Sequence, residues 1–198
     1  GARRLEAQGI RALILPSIAY SVAEYAGGFA GTLSISPETA SALLLDLAKA
    51  LSRKGAKALA IANAHLEPGH IRSITAAVER MKREKLLPVA FPDVTRKPWA
   101  LRLTEEFKSG ACHAGRYEGS IVMAERPDLV KEELRKALKP NPASLSTAIR
   151  GGKRTFAEAG GPEAYFGWPA DATAEEGKRT VEILGRMLEE AVAAALSA

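Results

Sequence analysis

An imidazole and a carboxylate are separated by a single residue in the segment Asn63-Ala64-His65-Leu66-Glu67, which follows the apolar run 58–62. An apolar run that ends in polar residues is typical of a strand in an open parallel sheet, whose carboxyl end borders the crevice where ligands bind. Imidazole nitrogen and carboxylate oxygen together suit a transition metal. The spacing favours His65 and Glu67 as metal ligands, although a His-x-Glu sequence alone also occurs by chance.

A second segment, Cys112-His113-Ala114-Gly115-Arg116-Tyr117-Glu118-Gly119-Ser120, places a histidine and a glutamate five residues apart. Its glycines allow the backbone to approach a ligand closely. Because histidine titrates near neutrality, His113 is a candidate general acid or base, with a surface loop histidine as the alternative. Two of the three histidines thus adjoin a carboxylate, and we interpret the two segments as one site. The third, His70, falls at the start of a helix, where we expect a surface position.

The elements that must position these segments alternate along the chain. Apolar runs predict strands over 9–16, 56–62, 87–91 and 118–124. Helices are predicted over 2–8, 36–54, 68–85, 97–108, 127–138 and 174–196. At the second of these helices, Ser36 can cap the N-terminus and Pro37 suits the first turn. Strands that alternate with helices predict an α/β domain with a mainly parallel sheet.

Composition narrows the class of protein. The 198 residues, 46% of them apolar, are typical of a single globular domain. Apolar stretches are too short for a membrane span, and the first residues lack a hydrophobic signal. The single Cys112 excludes an internal disulfide and predicts a reducing cytoplasm.

The net charge is +5, but basic residues stand beside acidic ones, as in 79–85. Such runs are typical of solvated helix faces, so we do not expect a nucleic-acid partner.

Five ordered motifs resemble the creatininase (creatinine amidohydrolase) family. The family carries Asn-Gly-His after a strand, as in Asn63-Ala64-His65. Its His-(Ala/Gly)-Gly-x-x-Glu-Thr-Ser is similar to 113–120, and its Pro-Asp-Leu-Val recurs at 127–130. Phe-Ala-Gly-Thr-Leu-Ser at 29–34 resembles the family's Phe-Pro-Gly-Thr-(Leu/Thr)-Ser, and 167–172 resembles its late Gly-x-Pro-x-x-Ala. The matches run from the first predicted strand to the last predicted helix.

This resemblance implies a three-layer α/β/α sandwich with a mainly parallel sheet. It also implies a metal-dependent amidohydrolase that cleaves a C–N bond of a small, often cyclic amide. Family members use a two-metal centre, commonly zinc or manganese, with a bridging water. Carried over by position, His65 and Glu67 would be metal ligands and His113 the catalytic residue beside the substrate. Glu118 would face the same centre as a ligand or a catalytic partner.

Four residues are candidates for the substrate pocket. Tyr20 and Ser21 follow the first predicted strand, at the active edge of the sheet. Cys112 stands where the members that act on creatinine carry a glutamate, which argues against creatinine itself as the substrate. Trp168 belongs to the late motif, with packing as its alternative role. By resemblance we also expect a homo-oligomer, a hexamer in the family, with no nucleic-acid or membrane partner.

The family has a further strand, upstream, that ends in Glu-Gln-His-Gly and is followed by an aspartate; these supply three more metal ligands. Residues 1–198 contain no such segment, so we expect one creatininase-like domain without that strand. Because the chain begins with Gly1 rather than methionine, we expect the complete protein to be longer. Two alternatives stay open. One is a catalytically incomplete homologue that serves as an assembly subunit or small-molecule binder. The other is a deformylase or peptide-trimming hydrolase on the same scaffold.

Overall fold

Helices and one small sheet make up the regular structure of the described residues. The computed structural model describes residues 1–111 and 113–197. Its helices are α1 (Ala2–Ala7), α2 (Pro37–Arg53), α3 (Pro68–Arg83), α4 (Lys97–Ala100), α5 (Glu105–Ser109), α6 (Arg116–Glu125), α7 (Glu132–Ala137), α8 (Leu145–Arg150) and α9 (Ala174–Ser197). The strands are β1 (Leu59–Ala60) and β2 (Val89–Ala90), and 3-10 turns lie at Pro127–Leu129 and Pro169–Asp171.

Local sequence signals set the starts of α2 and α3. The Ser36 hydroxyl accepts a hydrogen bond from the backbone N–H of Thr39 at 3.1 Å, and Pro37 occupies the first helical position. Pro68 opens α3 in the same way. Both helices were predicted from these residues, and the structure confirms them. None of the helices in the described residues is long and apolar enough to cross a membrane.

The chain divides into two compact units. The first comprises residues 1–95 together with the residues from Gly185 onward, and the second comprises Arg96–Leu184. In the first unit β1 and β2 pair in parallel, with Leu59 opposite Val89 and Ala60 opposite Ala90. The organisation as one domain remains a prediction.

Alternate residues of this sheet face two helical layers. Leu59 and Val89 pack against the core between α2 and α3, whose buried members are Leu45, Ala48, Ala77, Met81 and the neighbouring Leu87. Ala90 packs in a separate cluster with Leu5 of α1 and Val192 of α9. Because successive side chains of a strand point to opposite faces, the sheet is covered on both sides. The predicted α/β/α layering and parallel pairing are therefore confirmed, with a smaller sheet than expected.

The predicted strand over 9–16 is wrong. Residues 10–20 have no regular secondary structure, and the side chains of Leu13 and Ile14 are 81% and 79% exposed. A strand is stabilised by a hydrogen-bonded neighbour, and within the described residues the sheet has two strands, β1 and β2. The apolar run therefore lacks the ladder that its sequence would suit.

The predicted strand over 118–124 is also wrong, since these residues belong to α6. Tyr117 and Ser120 are the buried residues of this helix, three positions apart, which is helical rather than strand spacing. Long-range bonds to its first N–H groups, described below, stabilise the helix. The helix predicted over 97–108 is two short helices, of which α5 begins where Thr104 accepts a hydrogen bond from Phe107 N–H at 3.4 Å.

Candidate functional site

The first half of the candidate site is the loop that leaves β1. The side chain of Asn63 bonds to both the backbone carbonyl and the backbone N–H of His65. Its amide nitrogen donates to the carbonyl of His65 at 2.7 Å, and its oxygen accepts from the backbone N–H of His65 at 3.3 Å. This local ring fixes the backbone that carries the imidazole. Asn63 therefore positions His65 through the main chain.

His65 and Glu67 lie together, as the sequence predicted. His65 Nε2 is 3.9 Å from Glu67 Oε2; the imidazole is 42% exposed, whereas the carboxylate is 6% exposed. His65 Nε2 donates to the carbonyl of Val22 at 2.7 Å. In a neutral imidazole this leaves Nδ1 with the free lone pair. The glutamate accepts backbone N–H groups from Glu24 at 2.9 Å and from Tyr25 at 3.3 Å.

These contacts fit a metal ligand set in part. An N–H bond to each oxygen of Glu67 leaves further lone pairs on the carboxylate, and ligating carboxylates are commonly held in this way. His65 adds one nitrogen donor. A single ion usually needs at least three protein ligands. Within residues 1–111 and 113–197, no group of three or more His, Cys, Asp or Glu has the spacing of a metal site. The described residues thus supply two donors of suitable chemistry.

His70 belongs to this cluster, contrary to the surface position expected for it. Its Nε2 donates to Asn63 Oδ1 at 2.8 Å, its Nδ1 contacts the hydroxyl of Ser21, and its ring centroid is 5.0 Å from that of His65. Burial, followed by the charge of His65, lowers the pKa of His70 to about 4. His70 is therefore neutral near pH 7. The sequence signal for this contact was the His at the first turn of α3.

Of the two pocket residues predicted after the first strand, one lies in this cluster. Ser21 contacts His70, whereas Tyr20 is 59% exposed. Val22 is buried, and a Cβ on Gly69 would lie 2.8 Å from its Cγ1. The start of α3 therefore packs closely on this loop, which is possible because residue 69 is glycine.

The second half of the candidate site lies in the second unit, where the loop before α6 carries His113. His113 Nδ1 is 3.9 Å from Glu118 Oε2, and each side chain is about one-third exposed. The imidazole stacks on Phe156, with ring centroids 4.3 Å apart and planes 28° apart. The carbonyl of His113 accepts from Phe166 N–H at 2.8 Å. The predicted pairing of His113 and Glu118 is thus present in the fold.

The pKa of Glu118 is higher than is usual for a carboxyl group. Burial raises this pKa to about 7, and the charge of Glu106 raises it further. The N–H of Ala114, which donates to Oε2 at 2.7 Å, lowers the pKa in part. Ala114 adopts φ +51°, a left-handed conformation that is uncommon for a residue with a side chain. A carboxyl that titrates near neutrality beside an imidazole can accept and donate a proton at physiological pH.

Glu106 is a buried carboxylate that the sequence analysis missed. It is 7% exposed. Its Oε1 accepts from the backbone N–H groups of Arg116 at 2.8 Å and Trp168 at 2.7 Å, and its Oε2 accepts from Tyr117 N–H at 2.5 Å. A Cβ on Gly115 would lie 2.7 Å from Oε1. The glycines of the His113 motif gave a signal for such a close approach, but the sequence did not identify the partner.

Trp168, predicted as a pocket residue, is partly buried. It lines a surface pocket of about 460 Å³ together with Glu105, Glu106, Ser109, Arg116 and Asp171. Cys112 lies outside the described residues. His65 and Glu67 belong to the first unit, whereas His113, Glu118 and Trp168 belong to the second. That the two halves form one site stays a prediction.

Comparison with known proteins shows which family this chain is similar to. The family model described as Creatininase: Creatinine amidohydrolase matches residues 2–192. A relative from Mycobacterium tuberculosis, named mycofactocin precursor peptide peptidase, is 30% identical over 173 residues, which is 84% of this chain and 60% of the relative. A protein of the same name from Mycobacterium ulcerans is 28% identical over 91% of this chain and 64% of its own length. The chain thus spans less than two-thirds of these curated relatives.

Solved structures share the fold. A tryptophan-to-phenylalanine mutant of creatininase, described as type II, superposes with a TM-score of 0.66 at 20% identity, over 96% of this chain and 77% of that one. A Zn-Zn type creatininase mutant gives a TM-score of 0.63 at 20% identity, and a creatininase described as the Mn form gives 0.59 at 19%; each match covers 96% of this chain and 77% of the other. The family model covers nearly the whole chain and solved creatininases share its fold, and this chain belongs to the creatininase family.

Proposed function

We propose that this chain carries catalytic residues of a metal-dependent amidohydrolase, which uses water to cleave a C–N amide bond. The observation that supports the proposal most directly is the pair His113 and Glu118. Their polar atoms are 3.9 Å apart, and the pKa of Glu118 is raised to about 7. Perturbed acidity beside a second titratable group is a feature of catalytic sites. Membership of the creatininase family supports the same reaction class.

His65 and Glu67 would hold a divalent metal ion. The structural neighbours described as Zn-Zn and Mn forms support zinc or manganese. Such an ion would lower the pKa of a bound water and polarise the amide carbonyl. Because His65 and Glu67 are two donors and a metal needs more, we propose that further ligands join them in the active protein, including those of a two-metal centre.

His113 and Glu118 would transfer protons during the reaction. The nitrogen that departs from a cleaved amide is a poor leaving group until it is protonated. The carboxyl of Glu118 is divided between its acid and its ionised form near pH 7, so it can hold a proton at Oε2. His113 Nδ1 stands beside it and can give a proton to the departing nitrogen. Stacking on Phe156 fixes the imidazole plane for this transfer.

The substrate class proposed first is a small amide, with Tyr20, Ser21, Cys112 and Trp168 as substrate contacts. A second candidate is the peptide bond. The relatives named as peptide peptidases favour it, because their similarity extends over 84% and 91% of this chain. We further propose a homo-oligomer in a reducing cytoplasm. The competing proposal is a catalytically incomplete homologue that acts as an assembly subunit or a small-molecule binder.

A substrate panel would test the function and separate these classes. The purified protein, loaded with Zn²⁺ or Mn²⁺ and assayed beside a chelated sample, would be offered cyclic amides, formamides and short peptides. Metal-dependent release of an amine from one class identifies the bond cleaved. No metal uptake together with no amine release from any class would leave the non-catalytic proposal in its place. Assays of His113→Ala beside the exposed control Glu158→Gln would show whether turnover depends on this site.

A further inference from the structure

Glu106 links three separate segments of the second unit through one buried carboxylate. The residue belongs to α5, and its oxygens bind the first two N–H groups of α6 and the N–H of Trp168. Those helical N–H groups have no partner within α6. The negative charge also lies at the positive end of that helix dipole. One side chain therefore holds both the start of α6 and the segment at Trp168.

These two segments hold the backbone at His113, one through the chain and one through a hydrogen bond. Gly115, two residues after His113, is the N-cap of α6, and Phe166, two residues before Trp168, donates its N–H to the His113 carbonyl. The segment around Trp168 is anchored a second time, because Gly167 and Asn141 exchange backbone hydrogen bonds at 2.6 and 2.8 Å. The position of the imidazole thus depends on two segments that Glu106 ties together.

Two backbone segments approach the carboxylate closely. A Cβ on Gly167 would lie 2.1 Å from Glu106 Oε1, and a Cβ on Gly115 would lie 2.7 Å from it. Glycine at both positions lets two backbone segments approach the same oxygen. An isosteric amide could not replace the carboxylate, because its NH₂ group would face a backbone N–H.

We propose that Glu106 is a positioning residue, which sets the location of His113 for proton transfer by holding the N-terminus of α6 and the Trp168 segment together. This inference rests on the proposed function for its consequence in catalysis. Glu106 itself touches backbone N–H groups rather than the reacting atoms. The neutral variant Glu106→Gln should therefore displace His113 without removing it.

The neighbouring residue offers a matched control. The side chain of Glu105 is 91% exposed and pairs with Lys108 on the same helix. Glu105→Gln removes the same charge one position away and leaves the backbone bonds of Glu106 intact. A difference between the two variants then reports the buried contacts rather than the loss of a charge.

The first experiment does not require activity. The ring C–H resonances of His113 would be recorded by two-dimensional NMR and assigned by their loss in His113→Asn, which is practical in a chain with three histidines. Phe156 stacks on this ring, so its ring current makes the resonances sensitive to displacement. We expect them to move in Glu106→Gln and to stay in place in Glu105→Gln. Unmoved resonances in folded Glu106→Gln would overturn the proposal.

The second experiment uses the amide that the wild-type protein cleaves. A shift of about 1 Å at a catalytic group can cost roughly 100-fold in rate, so kcat of Glu106→Gln should fall by about that factor, a larger change than any in KM. A purely structural role would lower kcat only in proportion to the folded fraction. A kcat of folded Glu106→Gln equal to that of the wild type would overturn the proposal. If the wild type cleaves nothing, the proposed function fails while the NMR result still decides the position of His113.

Glu106→Asp covers the case in which Glu106→Gln does not fold. Its carboxylate keeps the charge but is one methylene shorter, so it cannot reach α6 and Trp168 at once. The same displacement of the His113 resonances and the same split between kcat and KM are expected. A folded Glu106→Asp with wild-type resonances would count against the proposal.

Discussion

His70 Nε2 donates to Asn63 Oδ1 at 2.8 Å, and the same Asn63 side chain holds the backbone of His65. A histidine on α3 therefore stabilises the turn that carries a proposed metal ligand. The bond requires a proton on Nε2. When the Ser21 hydroxyl donates to Nδ1, the imidazole is the neutral tautomer with its proton on Nε2.

The first prediction concerns the acid stability of this cluster. The pKa of His70 is lowered from 6.5 to about 4 in the folded protein. Between these values the unfolded chain binds more protons, so the contribution of His70 to the free energy of unfolding is complete above pH 6.5. It is lost as the pH falls towards about 4. Urea unfolding of the metal-free protein across this range should show the decrease, and His70→Gln should show less of it. An identical pH dependence in both proteins would contradict the assignment.

The second prediction is that the contribution of Glu118 to stability decreases as the pH rises, the reverse of the dependence on His70. The folded pKa of Glu118 is raised from 4.5 to about 7, so its contribution to stability is present below pH 4.5 and lost as the pH rises through 7. At a pH of about 8, Glu118→Gln should therefore unfold at a higher urea concentration than wild type. Because the side chain is one-third exposed, we expect a gain on the order of 1 kcal/mol. Near pH 4.5 the two proteins should be equally stable.

Glu158 provides the control for that measurement. Its carboxylate accepts the N–H of Arg154 at 2.9 Å, four residues earlier, as Glu118 accepts that of Ala114 at 2.7 Å. Glu158 itself is exposed, whereas Glu118 is partly buried. Glu158→Gln should not gain stability at a pH of about 8, and an equal gain in both variants would show that burial of Glu118 is not the cause.

The third prediction separates metal binding from proton transfer. His65→Ala removes one of two proposed donors and should abolish retention of Zn²⁺ or Mn²⁺ after dialysis, measured by mass spectrometry of the metal. His113→Ala should keep the metal and lower kcat by about 10²- to 10⁴-fold, the usual contribution of general acid–base catalysis. Full activity in His65→Ala would contradict the assignment of the metal site.

The fourth prediction concerns packing at the His113 motif. In Gly115→Ala the new Cβ would meet the carbonyl of Phe166 at 2.3 Å and Glu106 Oε1 at 2.7 Å. Relief of this overlap requires backbone movement, and we expect a loss of ~1–3 kcal/mol in the free energy of unfolding. Gly28 has no atom within 4 Å of its Cβ position, so Gly28→Ala should change stability by less than about 0.5 kcal/mol. Similar values in both variants would argue against the close contact.

Features that depend on neighbouring residues could be predicted from the sequence. Ser36 with Pro37 and Pro68 set the starts of α2 and α3, since a cap or a fixed φ acts within one turn. His65 and Glu67 lie within 4 Å of each other, as do His113 and Glu118, because the members of each pair are at most five residues apart.

Features that depend on distant partners could not be predicted, because they arise from contacts between segments far apart in the chain. Residues 118–124 form a helix instead of the predicted strand, because carboxylate oxygens of Glu106 bind the first N–H groups of α6 across ten residues of chain. The apolar run at 9–16 is not a strand, because a strand forms only beside a neighbour that bonds to it. His70 joins the cluster because Ser21, 49 residues away, packs against it. Local patterns specify capping and spacing, whereas burial and long-range hydrogen bonds select which of these segments meet.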